Sequence, residues 1–120
     1  MAKRILIVED TAPLADGIAE LLEMEGFIVE IAYNGIQALE VLLSFKPDLI
    51  LTDLVMPEMD GLELIRNVRS NKQYAHIPII LLTAQVGRET KTAGISAGAN
   101  LFLEKPFEDD GLLDSVSQLL

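Results

Sequence analysis

Asp48-Leu49-Ile50-Leu51-Thr52-Asp53, followed by Leu54-Val55-Met56-Pro57-Glu58-Met59-Asp60-Gly61, decides the reading of this chain. The first six residues form a short apolar run that ends on a carboxylate. Pro47 stops whatever precedes it, and a run this apolar fits a strand buried on both faces. Asp60 and Glu63 then make a capping box for a helix that turns Leu62, Ile65 and Val68 inward. The unit is therefore strand, loop, helix, with acidic residues at the strand's exit.

The same unit recurs on both sides. Arg4-Ile5-Leu6-Ile7-Val8 is a first strand, followed by a helix with Pro13 in its first turn and Leu14, Ile18, Leu21 and Leu22 along one stripe. Gly26 stands where a left-handed cap is expected, and Phe27 to Tyr33 reads as strand two. Asn34, with Gln37 three residues on, caps a helix expected to turn Leu39, Leu42 and Leu43 inward. Strand four is Pro78 to Thr83, with proline at its first position, where the missing N–H is tolerated. Val86 to Ala97 is a weaker helical segment, interrupted by Gly94 and poorly striped. Asn100 to Glu104 is strand five, and after Pro106 a last helix carries Leu112, Leu113, Val116 and Leu119.

Strict alternation of apolar strands and helices predicts an α/β fold, a parallel sheet between two helical layers. Five strands fit the flavodoxin-like (βα)5 arrangement of order 2-1-3-4-5, a three-layer sandwich spanning residues 1–120 as one domain. In such sheets ligands sit beyond the carboxyl ends of the strands, near the point where strand order reverses.

Composition narrows the function classes. The 120 residues carry nine Lys and Arg against nineteen Asp and Glu, a formal charge of −10. Direct nucleic-acid binding needs clustered basic residues, and these are scattered. No apolar run approaches the roughly 20 residues of a membrane span, and the start lacks a signal-peptide core, so a cytoplasmic location is expected. There is no cysteine, which excludes disulfides and thiolate metal sites.

The strand ends hold the chemistry: Glu9-Asp10 after strand one, Asp53 after strand three, Thr83 after strand four, Glu104-Lys105 after strand five. Two carboxylates ~4 Å apart repel by roughly 4 kcal/mol at an effective dielectric of 20. Packing alone gives no reason to gather them, whereas a hard cation such as Mg²⁺ does. A carboxylate can also attack phosphorus to give an acyl phosphate, if a cation and a lysine offset the charge. Asp53 is the natural acceptor, Glu9 and Asp10 the metal pair, and Thr83 a hydroxyl donor to a phosphoryl oxygen. His76, the sole histidine, lies in a polar stretch and reads as exposed. Met56 and Met59 read as packing beneath the loop.

Four motifs in order, Ile7-Val8-Glu9-Asp10, Asp53 to Gly61, Thr83-Ala84 and Lys105-Pro106-Phe107, resemble the receiver domain of two-component response regulators over nearly the whole length. The resemblance implies that Asp53 is the phosphoacceptor and that Asp10 binds the metal directly, with Glu9 acting through water. It implies a metal contact from the Val55 backbone carbonyl, a cis bond between Lys105 and Pro106, and a switch pair of Thr83 and Phe102. The metal would be Mg²⁺, with Mn²⁺ as a substitute. The phosphodonor would be a sensor histidine kinase or a phosphotransfer protein. The face formed by the fourth helix, fifth strand and fifth helix would then address an output protein or an appended effector domain, and could support a phosphorylation-dependent homodimer.

Glu9 departs from the commoner aspartate, Phe102 stands where tyrosine often occurs, and Val55 and Gln85 occupy the positions that modulate phosphate lifetime. A flavodoxin-like cofactor carrier would need a Gly/Ser/Thr-rich loop after strand one, and Thr11-Ala12-Pro13 does not supply it. A haloacid-type phosphatase wants an aspartate at position 55. A scaffold that no longer takes phosphate remains as the alternative of the same fold.

Overall fold

The computed structural model describes residues 2–84 and 87–120. Strands β1 (Arg4–Val8), β2 (Ile28–Ala32), β3 (Leu49–Asp53), β4 (Ile79–Thr83) and β5 (Leu101–Glu104) alternate with five helices. These are α1 (Ala12–Met24), α2 (Gly35–Phe45), α3 (Gly61–Ser70), α4 (Arg88–Ala97) and α5 (Asp109–Leu119). All strand pairs are parallel, in the order β2-β1-β3-β4-β5, as the alternation predicts. β1 and β3 are direct neighbours, so their carboxyl ends emerge side by side.

Strand alternation splits the core in two. Leu6, Val8, Ile50, Ile79 and Leu81 face α2, α3 and α4, packing on Leu42, Leu64, Ile65, Val68 and Ala97. Ile5, Ile7, Leu49, Leu51, Ile80 and Leu82 face α1 and α5, packing on Ile18, Leu22, Leu112 and Val116. β3 and β4 are buried along their full length, which explains their uninterrupted apolar runs.

The N-caps stand where the sequence places them, Asp60 through its own half of the expected box. Asn34 accepts from the Gln37 N–H at 2.8 Å, and Gln37 reaches back to the N–H of Tyr33 at 2.7 Å. Asp60 accepts from the Glu63 N–H at 2.8 Å. α1 ends in paired bonds from Gly26 to the Glu23 carbonyl and from Phe27 to the Leu22 carbonyl, with Gly26 left-handed.

Three expectations are corrected. Leu43 is 71% exposed, and α2 instead buries Gly35, Ala38, Leu42 and Phe45. The stripe runs at 35, 38, 42 and 45, and Leu43 lies a further 100° round the helix. Pro78 precedes β4 rather than starting it, yet its carbonyl still accepts from Ile50. Gly94 does not interrupt α4, which runs through it and buries it. Gln85 and Val86, the latter the expected start of that helix, lie outside the described residues. Among the described residues no helix is long and apolar enough to cross a membrane.

Candidate functional site

The exits of β1, β3, β4 and β5 converge on one cleft. Glu9 extends the ladder by one bond, its N–H donating to the Ala32 carbonyl at 3.0 Å, and its side chain is fully buried. Asp10, one residue further, is exposed. Asp53 closes β3 and is 8% exposed. One carboxylate oxygen from each of Glu9, Asp10 and Asp53 lies within 4.8 Å of the others. Parallel pairing of β1 with β3 is what brings these two segments, some 43 residues apart in sequence, to the same edge.

Lys105 enters from the opposite side. Its N–H donates to the Thr83 carbonyl at 2.9 Å, and the bond to Pro106 is cis, as the resemblance implies. Its Nζ lies 2.8 Å from Glu9 Oε1 and 3.1 Å from Asp53 Oδ1. Glu9 Oε2 accepts from the Thr11 N–H at 3.0 Å, so both of its oxygens are engaged. Asp53 Oδ1 also accepts from the Leu54 N–H at 2.9 Å. Thr83, at the end of β4, is buried.

Three carboxylates thus face one ammonium. Burial alone pulls the Lys105 pKa down, but hydrogen bonds to Glu9 and Asp53 and the charges of both outweigh it and hold it above the ordinary lysine value. For Asp10 the direction is also upward, first from desolvation in the cleft, then from the neighbouring Glu9 carboxyl. Two negative charges remain uncompensated, and every donor is a carboxylate oxygen, the set a hard divalent cation prefers. Mg²⁺ fits this chemistry.

The loop after β3 is shaped around Asp53. Gly61 donates its N–H to the Leu54 carbonyl at 2.8 Å, and a Cβ at position 61 would overlap the Asp53 carbonyl oxygen. The Thr52 hydroxyl donates to that same carbonyl at 3.0 Å. Asp60 and Gly61 belong to the sequence motif, but this contact does not follow from the motif. The available signal was a glycine in a first helical turn, where better helix formers are preferred.

Over residues 5–117 the sequence matches the family described as response regulator receiver domain. The chain belongs to that family. Receiver domains of solved structure superpose on it closely. The chemotaxis protein CheY4 of Vibrio cholerae is 32% identical with a TM-score of 0.96, each chain fully covered. The receiver domain of sensor histidine kinase PA1611 from Pseudomonas aeruginosa is 30% identical, with a TM-score of 0.90 and coverage of 99% and 98%. That protein is described with a magnesium ion coordinated in its active site cleft. Among curated relatives, response regulator MprA of Mycobacterium ulcerans is 38% identical over 120 residues, all of this chain and 51% of the relative. The chain therefore spans about half the length of the curated relatives it matches.

In this receiver domain the cleft brings together Glu9, Asp10, Asp53 and Lys105, with Thr83 joined through its carbonyl. The Val55 side chain is 61% exposed, at the rim of the loop. Phe102 lies on edge strand β5, half-buried against the α4 side of the core. His76 is exposed, as expected. Met56 is buried and Met59 packs against the core, also as expected. Gln85 lies outside the described residues.

Proposed function

We propose that Asp53 is the phosphoacceptor of this chain and that residues 1–120 form one receiver domain. The carrying observation is Lys105 Nζ placed between Glu9 and Asp53 in a cleft of three carboxylates. A carboxylate oxygen of Asp53 attacks phosphorus in a phosphohistidine of a sensor histidine kinase or phosphotransfer protein. The P–N bond breaks, its electron pair passes to the imidazole nitrogen, and that nitrogen takes up a proton from solvent.

When bound, Mg²⁺, or Mn²⁺ in its place, would supply positive charge that offsets the repulsion between the Asp53 carboxylate and an incoming phosphoryl group. Asp10 and Asp53 would hold it, together with the Val55 carbonyl. Glu9 would contribute through water, a role favoured by the engagement of both its oxygens with Lys105 and Thr11. Lys105 pairs with a phosphoryl oxygen, and the Thr83 hydroxyl donates to another. Reversal is hydrolytic: water attacks phosphorus, the acyl P–O bond breaks, and the Asp53 carboxylate and inorganic phosphate return. The domain assists only its own phosphorylation and dephosphorylation.

Thr83 and Phe102 carry the change of state to the α4–β5–α5 face. That face addresses an output protein, an effector domain or a second copy of the chain, in the cytoplasm. The test is intact-mass analysis after incubation with a small acyl-phosphate donor and Mg²⁺. The wild type gains one phosphoryl group and Asp53→Ala gains none. Labelling that persists in Asp53→Ala removes the assignment, and a wild type that never labels leaves a phosphorylation-independent scaffold.

A further inference from the structure

Gly94 sits mid-way along α4, where glycine weakens a helix and most residues would strengthen it. It has a packing reason to be there. A Cβ built on it would overlap Cζ of Phe102, stand 2.6 Å from Cε1 of the same ring and 3.2 Å from Leu81 Cδ2. The tip of the Phe102 ring therefore occupies the space an alanine methyl would need.

The ring's surroundings tie it to the site. Phe102 pairs directly with Leu81 across β4 and β5. Thr83, two residues along β4, shares Leu81's face of the sheet and is the diagonal neighbour of Phe102. α4 otherwise buries only Ala97, and its carboxyl end is held by Arg69 Nε at 3.0 Å from the Gly98 carbonyl. The ring in its slot is thus an apolar tie between the middle of α4 and the strand pair that ends at Thr83 and Glu104.

We propose that Gly94 is a positioning residue: its missing side chain opens a slot in α4 that seats the Phe102 ring beside the Leu81–Thr83 row before any phosphoryl group arrives. The seat fixes how α4 lies on β5, and so fixes the starting geometry of the switch face. Its consequence for phosphorylation rests on the reading of Asp53 as acceptor, while the seat itself does not.

The experiment compares wild type, Gly94→Ala, Phe102→Ala and the double variant by thermal unfolding and by the rate of acyl-phosphate labelling in Mg²⁺. Gly94→Ala lowers the melting temperature in the presence of Phe102, although alanine is the better helix former. In the Phe102→Ala background the same substitution raises it. Labelling slows several-fold in Gly94→Ala, and the substitution adds no slowing once Phe102 is gone.

Nuclear Overhauser contacts between Phe102 ring protons and the Gly94 α-protons of the unphosphorylated wild type provide a check that needs no variant to fold. Missing contacts, or equal effects of Gly94→Ala in both backgrounds, overturn the seat. Sign reversal with unchanged labelling rates overturns its positioning role. Sign reversal with no labelling of any protein, wild type included, leaves the seat standing and removes the acceptor reading instead.

Discussion

Lys105, beyond the carboxyl end of β5, and Arg69, in the last turn of α3 at the opposite end of the sheet, are both partly buried cations in very different company. Arg69 donates to the carbonyls of Gly98 at 3.0 Å, Ala75 at 3.0 Å and Ile77 at 2.6 Å, and to Asn100 Oδ1 at 2.8 Å. Asn100 Oδ1 in turn accepts the Ile79 N–H at 2.8 Å, so one side chain fastens the entries of β4 and β5. Every partner is neutral, and the planar fork of guanidinium donors matches them. Lys105 faces three carboxylates and neutralises one charge's worth. One end of the sheet is electrostatically finished. The other is left short of positive charge at the place where the strand order reverses.

This contrast predicts different responses to losing each cation. Lys105→Met leaves the fully buried Glu9 carboxylate without its ammonium. Discounting for the exposed fifth of the lysine (21%), we expect a loss of about 2–3 kcal/mol in metal-free unfolding. Much of that loss should return on adding Mg²⁺, since a second cation answers the same charge. Recovery by neither Mg²⁺ nor Mn²⁺ would break the comparison.

Arg69→Ala strands carbonyls that no added ion reaches, with an expected loss of about 2 kcal/mol that Mg²⁺ does not restore. Denaturant unfolding with and without Mg²⁺ reads both variants in one experiment. A Mg²⁺-dependent rescue of Arg69→Ala would show that the two ends are not separable.

Asp10→Asn changes the same cleft by removing negative charge instead of positive. Removing one of three converging charges should raise metal-free stability by up to about 1 kcal/mol, a small gain because Asp10 is solvent-screened. A destabilised Asp10→Asn would mean that the carboxylate's interactions outweigh the repulsion.

Much of this was legible in the chain. Strands such as Ile79-Ile80-Leu81-Leu82-Thr83 have a single plausible reading because both faces are buried. The acids and Lys105 could be placed because parallel strands all exit on one side, so end residues must converge. Leu43 was misread because neighbouring leucines satisfy two adjacent stripes, and only the opposing layer decides between them. Arg69's role was illegible, since three of its four acceptors are backbone carbonyls, spread over the α3–β4 and α4–β5 loops, and leave no mark in residue identity. Gly94 read as a helix defect because its purpose lies in a ring eight residues away, on another element.

Three carboxylates facing one ammonium leave the cleft short of a dication. The thermal unfolding midpoint of the wild-type chain across a Mg²⁺ titration reads that shortfall. The midpoint should climb with Mg²⁺ concentration, reaching a stabilisation of about 2.7 kcal/mol at 100 times the dissociation constant. A midpoint that stays flat through millimolar Mg²⁺ would contradict it.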